Sequence, residues 1–311
     1  CMNLAVDLAG LKFKNPVMTA SGTFGYGIEF SRYGDLASLG AIVVKGLSLK
    51  PRQGNPMPRI VETPCGMLNA IGLQNIGVEA FVRDKLPFLP WREIPVIANI
   101  YAQDVSEFHD LARFLALVEG VAALEVNVSC PNVRQGGMAF GQDPKMAAEV
   151  TRAVLDGAGS KPVIVKLSPN VTDIRTMAVA VAEAGAHALS LINTLTGMAV
   201  DVRTRRPRLA NGIGGLSGPA IKPVALRMVH EVCQSVDVPV IGIGGIVSAW
   251  DVLEFILVGA TAVQVGTGTF MRPDLCFRMV RQLEEAVEEL GLGSWDEFRG
   301  SLDTARAGRK A

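Results

Sequence analysis

Cys130 stands in the run Asn127-Val128-Ser129-Cys130-Pro131-Asn132, directly after the apolar stretch 122–126. Proline lacks a backbone donor and biases the residue before it away from helix, so the thiol is expected at the C-terminal mouth of a strand. A thiol there can serve as a proton-transfer base, a nucleophile or a metal ligand. It can equally be a small apolar filler. Lys45 and Lys166 close the apolar runs Ala-Ile-Val-Val and Val-Ile-Val. Lysine is rarely buried unless paired, so each calls for an anion: a phosphate or a reduced, negatively charged ring. Desolvation also lowers a lysine's pKa, which leaves a Schiff base chemically open. Asn69, Asn127 and Asn193 can each donate and accept, as a planar heterocycle with carbonyls and ring N–H groups requires. Asn211 reads as an ordinary turn residue.

Two glycine motifs complete the set, Ile243-Gly244-Gly245-Ile246 and Val265-Gly266-Thr267-Gly268. Glycine admits positive φ and close backbone approach. Either motif alone is an ordinary turn, but the two together predict a cradle for a phosphate-bearing ligand.

The elements that must position these residues are apolar runs at 17–20, 41–45, 96–100, 123–128, 163–167, 188–193, 240–243 and 262–265. They are nearly continuous rather than alternating, as strands covered on both faces are. Helical patterns lie between them. Asp173 and Ser248 are good N-caps for helices over 173–184 and 248–257. Beyond Arg272, the residues Cys276, Met279, Val280, Leu283, Val287 and Leu290 recur at helical spacing. Eight such units with no break in composition predict one (β/α)8 TIM barrel spanning 1–311 as a single domain, in preference to a doubly wound sheet. Residues 4–17, with Gly10 at a turn, predict a hairpin closing the barrel bottom. The long insertions 46–91 and 197–218 belong on the C-terminal face and should be functional or carry small elements of their own. In a barrel the strand C-termini make the active site. Read in order, those positions hold Ser21, Lys45, Asn99, Asn127 with Cys130, Lys166, Asn193 with Thr194, Gly244 with Gly245, and Gly266 with Thr267.

Composition narrows the function classes. The 311 residues are 49% hydrophobic and carry a formal net charge of zero, ample for a large core and no reason to expect nucleic acid or an anionic membrane as partner. The five cysteines are odd in number, scattered and free of any CxxC pair. That pattern is neither a disulfide framework nor a metal site, and it suits a reducing cytoplasm. The N-terminal region shows no signal-peptide pattern, and no run approaches the roughly eighteen apolar residues of a membrane span. Cys1 before Met2 looks like a processing oddity. Cys233 and Cys276 fall on apolar helical faces, where packing is the expected role, while Cys65 lies in the first insertion.

The chain resembles the dihydroorotate dehydrogenases from its start to about residue 302. The matching segments are 20–23 (Ala-Ser-Gly-Thr), 44–46 (Val-Lys-Gly), 54–59 (Gly-Asn-Pro-Met-Pro-Arg), 69–75 (Asn-Ala-Ile-Gly-Leu-Gln-Asn), 127–132, 192–194 (Ile-Asn-Thr) and the two glycine motifs. Each fragment is weak alone; their order and combination are specific. The resemblance implies an FMN-containing barrel that oxidises (S)-dihydroorotate to orotate in pyrimidine biosynthesis. A cysteine base implies class 1, since class 2 places serine there. Glu62-Thr63-Pro64 followed by 66–72 (Gly-Met-Leu-Asn-Ala-Ile-Gly) is similar to subclass 1B. Members of that subclass pass electrons to NAD+ through a second subunit carrying FAD and a [2Fe-2S] cluster. The chain has no four-cysteine cluster motif and no GxGxxG after a strand, so that chemistry must come from the partner.

By the same resemblance, Cys130 is the base at C5 of dihydroorotate and Lys45 reaches both substrate and flavin. Ser21, Gly46, Asn99, Asn127, Ile192 and Gly218 line the flavin, and Lys166 stabilises its reduced, anionic form. Gly244, Gly245, Gly266 and Thr267 hold the phosphate. Asn69, Ala70, Ile71, Gly72, Leu73, Asn127, Asn193 and Thr194 hold the pyrimidine. Residues 133–142, with Gly136, Gly137 and Gly141, are expected to form a lid that excludes water. The implied assembly is a homodimeric core within a heterotetramer. The rival readings are the fumarate-linked class 1A, a dihydropyrimidine dehydrogenase-like enzyme, a Schiff-base aldolase and a non-catalytic interaction subunit.

Overall fold

The computed structural model describes residues 2–129, 134–135 and 138–305. Its central strands are β1 (Val17–Thr19), β2 (Ile42–Val43), β3 (Val96–Ile100), β4 (Ala123–Asn127), β5 (Val163–Lys166), β6 (Ala188–Leu191), β7 (Val240–Ile243) and β8 (Ala262–Val265). They form one parallel sheet in the order β1-β8-β7-β6-β5-β4-β3-β2. A parallel bridge from Met18 to Ala41 joins the two ends. Thr19 Oγ1 reinforces that seam, donating to the Val43 carbonyl at 3.2 Å and accepting the Val43 N–H at 2.9 Å. The expected (β/α)8 barrel is thereby closed.

The α-helices among the described residues are α1 (Val78–Asp84), α2 (Val105–Ala116), α3 (Pro144–Ala158), α4 (Ile174–Glu183), α5 (Lys222–Cys233), α6 (Ala249–Leu257), α7 (Gly268–Met271), α8 (Leu275–Glu289) and α9 (Trp295–Phe298). Both expected N-caps are present. Asp173 accepts from the Arg175 N–H at the start of α4. Ser248 and Asp251 exchange bonds in a capping box at the start of α6. β3 and β5 are buried at every residue, because barrel interior covers one face and helices the other. An N-terminal hairpin pairs Val6–Leu8 with Leu11–Phe13 and buries Leu8 and Phe13. Trp295 Nε1 donates to the Leu4 carbonyl at 3.1 Å, tying the far end of the chain to that hairpin. No described helix is long and apolar enough to cross a membrane.

Five strands are shorter than their sequence runs: β1, ending at Thr19, β4 at Asn127 and β5 at Lys166 by one residue, β6 at Leu191 by two, and β2 by the most. The run 41–45 reads as strand through Lys45, but β2 stops at Val43 and the Lys45 N–H donates to the Gly25 carbonyl at 2.9 Å. The lysine therefore sits on a turn above the strand rather than within the ladder.

The two insertions do carry elements of their own, and these combine. Ile60–Thr63 and Gly66–Asn69 form a hairpin, while Leu195–Met198 pairs with Ile213–Ser217. Pairing of Leu216 with Leu68 and of Gly215 with Asn69 merges them into one four-stranded antiparallel sheet. Leu68, Ala70 and Leu209 give it a small core separate from that of the barrel.

Close packing near the β1–β2 seam yields a stability prediction. A Cβ on Gly40 would lie 2.1 Å from the Asn15 carbonyl oxygen and 3.0 Å from that of Val17, both backbone atoms that cannot rotate away. Gly40→Ala is expected to destabilise the chain by about 1–3 kcal/mol. The urea midpoint should fall with an unchanged slope; an unchanged midpoint would mean that the seam has room to give.

Candidate active site

A cavity of about 620 Å3 opens at the C-terminal ends of the strands and extends beneath the four-stranded sheet. Strand ends supply its floor: Asn99 from β3, Asn127 from β4 and Lys166 from β5. Turns just beyond strands supply Ser21, Lys45, Gly46, Ile192, Asn193 and Thr194. Gly244, Gly245, Gly266 and Thr267 line the side below β7 and β8, with Gly218 beside them. Asn69, Ala70, Ile71, Gly72 and Leu73 come over the top from the first insertion. Every described residue expected at the site therefore borders one space. Cys130 lies outside the described residues, although Asn127 and Ser129 before it and Gly141 and Gln142 after it all line the cavity.

The expected lid falls partly outside the described residues, which omit Val133, Gly136 and Gly137. Of the rest, Arg134–Gln135 pairs antiparallel with Met138–Ala139. Phe140 is buried, its ring edge-on to Phe108 at 6.1 Å.

The electrostatics of the cavity are one-sided. Lys45, Arg59 and Lys166 line it, and no carboxylate does so among the described residues. Lys166 is only 6% exposed, and its ammonium has no hydrogen-bond or ion-pair partner among the described residues. Burial pushes the Lys45 pKa below the ordinary lysine range, and the Arg59 charge adds to that shift. Three cations on a wall that carries no carboxylate make a focused positive potential. Such a cavity suits an anionic ligand.

The amides are oriented. Asn127 Oδ1 accepts from the Ser129 N–H at 3.1 Å and from Asn193 Nδ2 at 3.3 Å, so the Asn127 NH2 remains to donate into the cavity. Asn193 Oδ1 accepts from the Thr194 N–H at 2.8 Å. The glycine wall is equally specific. Gly244 and Gly245 have φ of +138° and +70°, and a Cβ on Gly245 would meet Lys222 Cβ at 2.8 Å and the Gly218 carbonyl at 2.9 Å. A side chain there would collide with its neighbours. Gly266 differs: its Cβ would make only ordinary contacts, with Ala20 Cβ at 3.5 Å and with the Thr23 side chain at 3.8 and 3.9 Å.

Some lining residues were not predicted. Arg59 is held by the carbonyls of Gln53 and Asn55 and by Gln74 Oε1. Asn170 joins the ends of β5 and β6, donating to the Thr194 carbonyl at 3.0 Å and accepting the Thr196 N–H at 2.9 Å. Its signal was available: Ser168-Pro169-Asn170 follows an apolar strand, as 129–132 does. Thr267 Oγ1 donates to Ser217 Oγ at 2.7 Å, linking β8 to the second insertion. Asn211 also borders the cavity, beyond its expected turn role. Burial raises the thiol pKa of Cys233 and of Cys276 to about 12, which fits inert packing, whereas Cys65 is exposed. No cluster of metal-ligating side chains exists among the described residues.

The family model described as dihydroorotate dehydrogenase matches residues 3–287. The chain belongs to the dihydroorotate dehydrogenase family. Among relatives in that family, a protein of Solidesulfovibrio magneticus is 68% identical over 301 residues, covering 97% of this chain and 98% of the relative. One of Maridesulfovibrio salexigens is 65% identical, covering 97% and 99%. A third, of Geotalea uraniireducens, is 59% identical with the same coverage. All three bear the name dihydroorotate dehydrogenase B (NAD(+)), catalytic subunit.

Residues of this dihydroorotate dehydrogenase family member fit the flavin mononucleotide implied by the resemblance. Gly244 and Gly245 line the cavity with positive φ and carry no side chain, so backbone N–H groups there can approach a phosphate closely. Lys166 brings a buried ammonium without a partner among the described residues, and Asn99 and Asn127 bring amides for a ring bearing carbonyl and N–H groups.

Proposed function

We propose that this chain is the FMN-binding catalytic subunit of an NAD+-linked dihydroorotate dehydrogenase, oxidising (S)-dihydroorotate to orotate in pyrimidine biosynthesis. The reading rests on one observation above all. A single cavity, with no carboxylate among its described lining residues, joins three cations to oriented asparagine amides and a glycine cradle. An anionic pyrimidine and a phosphate-bearing cofactor both match that chemistry.

The residues divide the work. Lys45 and Arg59 attract the substrate carboxylate, and residues 69–73 cover the ring from the insertion side. Asn127 and Asn193, already linked to each other, donate to the ring carbonyls. Cys130 takes the proton from C5. FMN, when bound, supplies the two-electron acceptor for the hydrogen leaving C6. Lys166 is fixed where negative charge develops, stabilisation that needs no rearrangement during reaction. Gly244, Gly245, Gly266 and Thr267 hold the cofactor's phosphate end, while Ser21, Gly46, Asn99, Ile192 and Gly218 border its ring.

The chain acts as a single barrel domain within a cytoplasmic heterotetramer. Two copies form its core, and each works with an iron–sulfur flavoprotein subunit whose FAD and [2Fe-2S] cluster deliver electrons to NAD+. The names of the relatives, catalytic subunits of NAD(+)-linked enzymes, support this assignment.

An anaerobic absorbance spectrum, recorded before and after adding dihydroorotate, tests the reading. The expected result is a flavin spectrum that bleaches with dihydroorotate and not with dihydrouracil. Bleaching by dihydrouracil alone would move the substrate to uncharged pyrimidines. A chain that stays colourless after FMN is supplied would overturn the assignment, and borohydride trapping would then test Lys45 and Lys166 as Schiff-base lysines.

A further inference from the structure

Below the cavity floor lies a carboxylate that the reaction scheme above leaves unused. Glu125, on β4 two residues before Asn127, is fully buried inside the barrel. Three strands aim donors at it. Asn99 Nδ2 from β3 reaches Oε2 at 2.6 Å, while Ser190 Oγ from β6 and Gln264 Nε2 from β8 reach Oε1 at 2.8 and 2.6 Å. Gln264 Oε1 is left buried without a partner among the described residues. An orphaned amide oxygen is costly, and it identifies what the centre of this cluster demands: every neighbour must present a donor.

For Asn99 that demand reaches the active site. An amide has one oxygen end and one NH2 end. With Nδ2 committed to Glu125, Oδ1 is turned to the opposite side. There it lies 2.9 Å from where a Cβ on Gly46 would stand, near Ser21, and both residues line the cavity. Asn99 Oδ1 has no protein partner among the described residues.

We propose that Glu125 is a positioning residue that locks the Asn99 amide with its carbonyl oxygen toward the cavity. The lock makes that point of the wall an acceptor, so it selects a ligand ring that presents an N–H there and rejects one that presents a lone pair. Ser190 and Gln264 hold the carboxylate in place. The identity of the ring as a flavin rests on the function proposed above; the lock itself does not.

Glu125→Gln isolates the effect because it keeps the shape of the side chain. The Oε1 position already receives two donors, so the new amide oxygen stays there and its NH2 turns toward Asn99. Asn99 must then rotate to accept, exposing its own NH2 to the cavity where an acceptor stood. FMN binding to the apo-chain, followed by fluorescence quenching, is expected to weaken by about tenfold or more, the effect of opposing two donors. Adding Asn99→Asp should reverse the loss. The carboxylate introduced at 99 accepts from the amide introduced at 125 and again offers the cavity an oxygen. The double variant is expected to bind FMN within about threefold of the unmutated chain, a residual at the low end of what one ordinary hydrogen bond contributes. A lower melting temperature with FMN affinity unchanged would overturn the lock, and so would a loss that the second substitution does not relieve.

Neutron diffraction from the unmutated, ligand-free protein decides the matter even if Glu125→Gln does not fold or the chain binds no flavin. Deuterium on the Asn99 atom facing Glu125 supports the lock. Deuterium on the atom facing the cavity overturns it.

Discussion

Replacing Cys130 with alanine is expected to slow dihydroorotate oxidation by about 10^2–10^4-fold, the usual contribution of a positioned base, and to leave flavin binding intact. The C5 proton of dihydroorotate is a weak carbon acid, and its removal needs a base held next to the ring. The cavity brackets position 130 on both sides: Asn127 and Ser129 line it, as do Gly141 and Gln142. Ser129 Oγ donates to the Lys166 carbonyl at 3.3 Å, anchoring the entry to the segment against β5. An unperturbed thiol ionises near a pKa of about 8.5. Flavin reduction in the unmutated chain should therefore accelerate as pH rises toward that value, unless its surroundings ionise the thiol earlier. The alanine variant should show a flat profile over the same range. Anaerobic stopped-flow reduction at a series of pH values measures both. Equal rates for the two proteins would remove Cys130 from the chemistry.

Lys45→Met is expected to weaken orotate binding by roughly 10- to 150-fold, the worth of a charge-assisted hydrogen bond of about 1.5–3 kcal/mol. The same change should raise the melting temperature of the ligand-free chain near neutral pH. The opposite signs share one cause. Burial, reinforced by Arg59, lowers the pKa of Lys45, so folding without a ligand opposes its charge, and a bound anion removes that opposition. A lysine pKa depressed on folding makes the folded state relatively more stable as pH rises through the depressed value, and less stable below it. Ligand affinity runs the other way. The ammonium exists below the folded pKa, so orotate binding is strong there. It should be lost as pH rises through a midpoint below the ordinary lysine value of about 10.4. Isothermal titration against pH, with differential scanning calorimetry of both proteins, checks the pair. An unchanged orotate affinity in the variant would place the carboxylate on Arg59 instead.

Much of the architecture is legible because local chemistry and global fold agree. The strands read as strands because a barrel strand is covered on both faces and so is apolar throughout, as β3 and β5 are. α4 and α6 begin where Asp173 and Ser248 predict, since a cap is a bond to the very next turn. Such signals are local, and the chain states them without help from distant segments. The polar residues at strand ends are legible for the same reason. A lysine closing Val-Ile-Val has few places to go except a mouth where charge is wanted.

What the sequence determines by itself, then, is the barrel, the order of its strands and the residues at their C-terminal ends, because each depends on periodicity, capping or a residue type set against its neighbours. Tertiary structure alone decides which of those residues share a wall and which way their polar atoms point. Pairing of Gly215 with Asn69 turns two insertions far apart in the chain into one sheet over the cavity. The backbone of the first insertion holds Arg59 at the rim. Glu125 is hidden in a run that reads as apolar, and only closure of the barrel surrounds it with donors from β3, β6 and β8. A hydrogen bond has a direction that residue type does not encode, so the orientation of Asn99, Asn127 and Asn193 emerges only when the strands stand side by side.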